Sequence, residues 1–380
     1  MTEAAGPTPH VGLEVGRAED LVAIERARGP FVSCVLDATS AVETASHELD
    51  VRWRDARRGL EAAGGGPADL EAIDAAVGEG PAGGDTLVAI AAGGRLLLHE
   101  RFDPAPAREL ARAAALPALG ALIAHRHMEL SHIVVMVDKR GAEISVRRPD
   151  SPDVERTVEG EAHGVHKVRG GGRHHRKMQQ RAENLVGRNI REVAEAVTRW
   201  FDEVDPRLVL LGGEEQAVTA LRGELPSRVV ERARPLEDGG SRSVDGSEQE
   251  TEAAVVRAVR WAAGEDAAAA LAKLAEERGQ GDRAAVGPAV IDALARAQVE
   301  LLLVHDDPDD DRTAFFSPDD PALVATNAAD LAAMGVEDPA EGRLVDVAVR
   351  GALGTGAAIR VLPQPHPELS EGLAAILRYA

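Results

Sequence analysis

Between residues 131 and 232 the chain alternates apolar runs of strand length with helix-period stretches, and that order leaves few folds open. Residues 131–137 and 142–147 read as short strands joined by Asp138-Lys139-Arg140-Gly141, a turn with glycine where a positive φ is expected. A long stretch from Arg173 follows. Taking Arg173 as zero and about 100° per residue, Val186, Ile190, Val193, Ala194, Val197 and Phe201 fall at roughly 200–300°, one apolar stripe of a single helix. Then come the apolar run 207–213, a helix over 214–225 and a strand near 228–232. Helix, buried strand, helix, strand is an α/β layer around a mostly parallel sheet.

The flanking segments read as mixed α/β as well. Before residue 127 the pattern predicts a strand at 31–36, helices near 43–63 and 67–77, and a hairpin over 86–102 turning at Ala91-Ala92-Gly93-Gly94. A helical stretch is expected over 106–127. Short strands at 154–158 and 163–168 lead into a glycine-rich loop. After a polar linker at 237–250, the pattern predicts helices over 251–278 and 288–297, strands at 299–304 and 357–362, and a helix near 341–353. The fold class is therefore α/β (α+β) in three domains, 1–127, 128–246 and 247–380, each a mixed or mostly parallel sheet flanked by helices. The acidic insert 305–312 reads as a solvated loop, because the ligand spacing and glycine of a calcium-binding loop are missing.

Charge is distributed unevenly. From His166 to Arg191 there are eight basic residues against one acid, Glu183, in a chain of net charge −21. Arg173, Lys177, Arg181, Arg188 and Arg191 share the side of the helix opposite the apolar stripe. An acidic protein that concentrates positive charge at one loop and helix is suited to meeting phosphates there. The acidic remainder disfavours nucleic acid in general, and no DNA partner is expected. Phe, Trp and Tyr make up 2% of residues, so RNA contact is expected through phosphates and shape, not stacking platforms. Cys34 is the single cysteine, so no internal disulfide can form and a reducing compartment is expected. The first twenty residues lack an apolar targeting core, and no stretch reaches the roughly 18 apolar residues of a membrane span, so a cytoplasmic location is expected.

Several runs in this order resemble the archaeal and eukaryotic class-one peptide release factor and Pelota family, from about residue 128 to the end. They are Ile133 to Asp138 with Gly141-Ala142, the basic glycine loop and long helix, Leu208 to Gly213, Leu225-Pro226, Gly239-Gly240, Glu300 to Val304 and the terminal Glu371-Gly372-Leu-Ala-Ala-Ile-Leu377-Arg378-Tyr379. The last run is the most specific. The bacterial branch is the nearer one, with its Balon-type ribosome hibernation factors nearest of all. The resemblance implies a tRNA-mimic-like arrangement, the ribosomal A site and large-subunit rRNA as partners, and EF-Tu as a further one. Release factors carry Gly-Gly-Gln at the loop tip. Here the matching place reads Gly171-Gly172-Arg173, so the resemblance implies occupancy of the peptidyl transferase centre without ester hydrolysis and leaves no catalytic residue to name.

The candidate RNA-binding residues are Arg169, Gly170, Gly171, Gly172, Arg173, His174, His175, Arg176, Lys177, Arg181 and Arg188. Arginine's planar fork can hold phosphate bidentately, and glycine lets backbone approach RNA where a Cβ would hinder it. His163, His166, His174 and His175 invite a zinc reading, but no cysteine lies nearby and the pair spacing is wrong, so no metal or other cofactor is expected. Two other functions remain open on sequence: a peptidyl-tRNA hydrolase of ribosome rescue, and a non-ribosomal adaptor whose glycine loop is only structural.

Overall fold

The computed structural model describes residues 19–39, 45–79, 84–149, 151–159, 172–237, 247–280 and 283–379. In chain order the first elements are α1 (Glu19–Glu25), β1 (Phe31–Asp37), α2 (Ala45–Ala62), α3 (Pro67–Glu79), β2 (Thr86–Ala92), β3 (Arg95–Phe102), β4 (Leu110–Ala114) and α4 (Gly120–Arg126). Next come β5 (His132–Val137), β6 (Gly141–Arg148), β7 (Ser151–Glu159), α5 (Gly172–Val204), β8 (Leu208–Gly213), α6 (Glu215–Glu224), α7 (Ser227–Arg232), β9 (Ala233–Pro235) and α8 (Ser247–Gln280). The last elements are β10 (Ala284–Val286), α9 (Ala289–Ala295), β11 (Val299–Val304), β12 (Thr313–Phe316), β13 (Val324–Ala325), α10 (Ala328–Ala333), β14 (Ala340–Arg343), α11 (Leu344–Thr355), β15 (Ala358–Val361) and β16 (Leu373–Leu377).

Two compact units result, residues 128–265 and residues 10–127 with 266–380. The three-domain division at 127 and 246 stands as a proposal about which segments fold alone. Residues 128–265 form a five-stranded sheet in the order β7-β6-β5-β8-β9. β5, β8 and β9 run parallel, whereas β6 and β7 are antiparallel, so the sheet is mixed. Side chains alternate across it as strand geometry requires. Ile133, Val135, Val137, Val209 and Leu211 face Ile190, Val193, Val197 and Phe201 of α5. Val134, Met136, Leu208 and Leu210 face Val255, Val259, Ala262 and Ala263 of α8. Burying each such aliphatic side chain contributes about 1.5–3 kcal/mol, which is why the stripe on α5 fixes the helix on one face.

In the other unit, β1 to β4 form an antiparallel sheet in the order β3-β2-β1-β4. Its even face on β1 (Val32, Cys34, Leu36) packs with Trp53, Leu60 and Ile73 of α2 and α3. Phe31 and Val35 point the other way, into a core shared with Ile291, Leu302, Phe316, Val345 and Ala375 from the far end of the chain. A four-stranded sheet β10-β16-β11-β15 and a three-stranded sheet β13-β12-β14 complete this unit. The insert 305–312 joins β11 to β12, and arginines clasp its carboxylates: Arg108 meets Asp309 at 2.6 and 2.7 Å, and Arg343 meets Asp306 at 2.6 Å.

Three local expectations are corrected. Residues 106–127 are not one helix, because Leu110–Ala114 pairs with β1 as β4 and only Gly120–Arg126 is helical. Residues 228–232 are helical, with the strand following at Ala233–Pro235. Gly141 needs no positive φ. It opens β6, where a Cβ would come 1.9 Å from the carbonyl oxygen of Val158 on β7, so close approach requires the glycine. The strand expected at 163–168 lies outside the described residues.

Candidate RNA interface

The C-terminal ends of the parallel strands β5 and β8 meet the turn that carries Lys139 and Arg140. Asp138 builds that turn, its Oδ1 accepting from the backbone N–H groups of Arg140 at 2.6 Å and Gly141 at 2.9 Å. Asn189 of α5, only 2% exposed, donates Nδ2 to the Lys139 carbonyl at 3.2 Å and so ties the helix to this end of the sheet. Lys139 also pairs with Glu214, just after β8. Lys139 and Arg140 are exposed at the place where α5 crosses the strand ends, and sequence reasoning read them only as turn residues. Their signal was weak, because two cations in a turn look the same whether or not a helix passes beside them.

From this anchor α5 continues toward its own N-terminus. Val186 is the first described side chain on the helix that packs against the core. At about 1.5 Å per residue the helix carries Gly172 roughly 21 Å along its axis beyond Val186. Gly172, Arg173, His174, His175, Arg176, Lys177 and Arg181 lie on these outer turns, for which the structure describes the helical backbone. Arg169, Gly170 and Gly171 lie outside the described residues, as do His163 and His166. Nearer the core, Arg188 is exposed and lies 3.6 Å from Glu192, while Arg191 donates Nε to the Gly187 carbonyl at 3.2 Å. An exposed pair of this kind is held weakly, so phosphate can compete for Arg188.

Chemically this end combines the basic residues of the sequence with a helix N-terminus, and the backbone N–H groups and dipole of a helix start favour an anion. His132 is placed elsewhere, buried in β5. Its Nδ1 lies 2.6 Å from the Leu130 carbonyl, and burial pushes its pKa down. Among the described residues no group of three His, Cys, Asp or Glu side chains could hold a metal. Cys34 is fully buried, and burial pushes its thiol up to about 12, so it is no nucleophile at neutral pH. Among the described residues no helix is long and apolar enough to cross a membrane.

Residues 131–280 match the family described as Bacterial archaeo-eukaryotic release factor family 2. Over this segment the chain is similar to that family. The matched segment takes in the whole five-stranded sheet, α5 and α8. An uncharacterized protein of Mycobacterium tuberculosis is 29% identical over 230 residues, a match covering 60% of this chain and 61% of the relative. The match therefore spans less than two thirds of that relative's length. Among solved structures, the chain is similar to an archaeal translation termination factor (14% identity, TM-score 0.25, 98% of this chain and 100% of that one). It is also similar to Archaeoglobus fulgidus Pelota (16% identity, TM-score 0.36, 77% and 80%) and to a ribosome-bound archaeal Pelota (12% identity, TM-score 0.38, 97% and 95%).

Proposed function

We propose that this protein is a ribosome hibernation factor: it occupies the A site of idle ribosomes, reaches the peptidyl transferase centre with its basic glycine loop and blocks translation without hydrolysis. One observation carries the reading. A chain whose segment 131–280 matches the bacterial release-factor family has Arg173 after Gly171-Gly172, where release factors have glutamine. The loop therefore keeps the glycines that let backbone approach RNA and replaces the water-positioning amide with a phosphate-binding cation.

The projecting α5 supports the same reading. A helix anchored at Asn189 and extending about 21 Å past Val186 suits a probe that enters a narrow RNA-walled site, with its cations meeting large-subunit rRNA. EF-Tu is proposed as a further partner, and the cytoplasm, where ribosomes work, as the location. A fold of this kind in which the glycine loop is merely structural would not need its cations on one side of the helix.

Co-sedimentation with vacant ribosomes near physiological salt tests this. The native chain should pellet stoichiometrically, and combining Arg173→Glu, Lys177→Glu and Arg181→Glu should abolish pelleting. Each lost phosphate contact should also lower the slope of log affinity against log salt by roughly 0.7–0.9. A native chain that stays in the supernatant sinks the reading and leaves the adaptor ahead. Release of peptide from peptidyl-tRNA in the same complexes, dependent on Gly171 and Gly172, would replace it with ribosome rescue.

A further inference from the structure

Asn189 is the one polar side chain that α5 buries among the described residues, 2% exposed in a helix that otherwise buries Ile190, Val193, Ala194, Val197 and Phe201. The Lys139 carbonyl can only accept, so the amide nitrogen faces it at 3.2 Å, and Oδ1 is left buried with no partner among the described residues. A buried polar atom without a partner destabilises, and asparagine favours helix less than leucine does. Folding alone therefore gives no reason for an amide at this position.

What the amide adds is direction. Apolar packing is non-directional, so the stripe on α5 selects the face of the helix more sharply than its tilt. The acceptor is itself held in place. Asp138 accepts from the N–H groups of Arg140 and Gly141 and donates its own to the Gly141 carbonyl at 2.9 Å, while the Val137 carbonyl accepts from Glu214 at 2.9 Å. Gly213, at φ +110°, lets β8 close on β5 here, where any Cβ would run into the Val137 carbonyl. The Lys139 carbonyl is thus a fixed point on the sheet. On the helix side Gly187 lies two residues from Asn189, and glycine is where a helix bends most readily. Gly172 lies about 25 Å from Asn189 along the axis, so a tilt of roughly 10° at this junction moves the outer end by about 4 Å, beyond the reach of a hydrogen bond.

We infer that Asn189 is the positioning residue of the basic glycine loop: its bond to the Lys139 carbonyl fixes the angle at which the outer half of α5 leaves the sheet. The consequence for rRNA binding rests on the ribosome reading above, whereas the aim of the helix does not. Asn189 is too buried to touch RNA, so its effect runs through the helix. A single buried asparagine plays this part in coiled coils, where it sets register at a cost in stability.

The test compares native protein with Asn189→Leu, which matches asparagine in size and removes the orphaned oxygen, while water replaces the donor to the carbonyl of exposed Lys139. Spin labels at Gln179→Cys on α5 and Arg222→Cys on α6 report the angle as a distance distribution, and buried Cys34 stays unlabelled. Asn189→Leu should keep or raise Tm, broaden the distribution and slow association with vacant ribosomes about tenfold with dissociation little changed, because a loop aimed a tenth of the time binds a tenth as fast. Loss of a direct contact would speed dissociation instead. Adding Gly187→Ala should narrow the distribution again and recover part of the rate. Asn189→Ala, which adds no bulk, should broaden the distribution in the same way. A distribution as narrow as native, with association within twofold, overturns the positioning role and leaves the ribosome reading intact. So does a fall in Tm that accounts for the loss of binding. A distribution that broadens in a protein whose native form does not bind ribosomes upholds the positioning role and overturns the ribosome reading.

Discussion

Asp346, at the start of α11, shows how one residue makes the fold depend on pH. Its carboxylate is 3% exposed, with Arg343 and Arg112 each 3.4 Å away and Asp306 sharing Arg343. Burial dominates over both arginines and pushes its pKa from 3.8 up to about 7. A raised carboxyl pKa means the native state keeps a proton that the unfolded chain gives up. The contribution is therefore whole below about pH 4 and is lost as pH rises through about 7, at up to about 1.4 kcal/mol per pH unit in between. Asp346→Asn removes the titration, so its stability relative to native should improve between pH 5 and pH 8 in urea unfolding. A difference that stays flat across this range would mean that Arg112 and Arg343 keep the carboxylate ionised throughout.

At the scale of elements, α5 does two jobs with two halves. The half from Ile190 to Phe201 is fixed by burial, and the half before Val186 carries the basic residues of the sequence, Arg173 to Arg181. Gly187 sits at the junction, where a Cβ would meet nothing within 4 Å. Gly187→Ala should therefore stabilise the helix by about 0.5–1 kcal/mol, seen as a higher Tm, because alanine loses less backbone entropy on folding. A lower Tm would show that the junction needs glycine for a bend. The register of α5 and of the strands it covers was legible in the sequence, since period 3.6 and period 2 are both local signals. Leu110–Ala114 was not, because its alanines favour helix locally and only pairing with distant Phe31 to Val35 makes it a strand. For the candidate interface, the cations of α5 could be read from spacing. The approach of Lys139 and Arg140 could not, since the Asn189 bond that brings them there joins residues fifty positions apart.

For the whole molecule, the less legible fact is that the two ends of the chain build one core. No periodicity tells which face of a sheet will meet which other face, so the sequence separates 1–127 from the final segment without showing that they interlock. Phe31, Val35, Val88 and Ile90 lie in one cluster with Ile291, Leu302, Phe316 and Val345. Arg350, 2% exposed on α11, donates to the carbonyl and, at 3.1 Å, to the carboxylate of Glu25 at the end of α1, and to the Ser317 carbonyl at 2.9 Å. A buried guanidinium with part of its partners removed is costly, typically about 3–5 kcal/mol, and the apolar face of β1 and β2 would be bared at the same time. A fragment of residues 1–127 made alone should therefore lack a cooperative unfolding transition and bind a hydrophobic dye. Adding residues 266–380 should restore the transition. If 1–127 instead melts cooperatively by itself, with slowed amide exchange in β1 and β2, the three-domain division is right and the shared core is a docking surface between domains that fold independently.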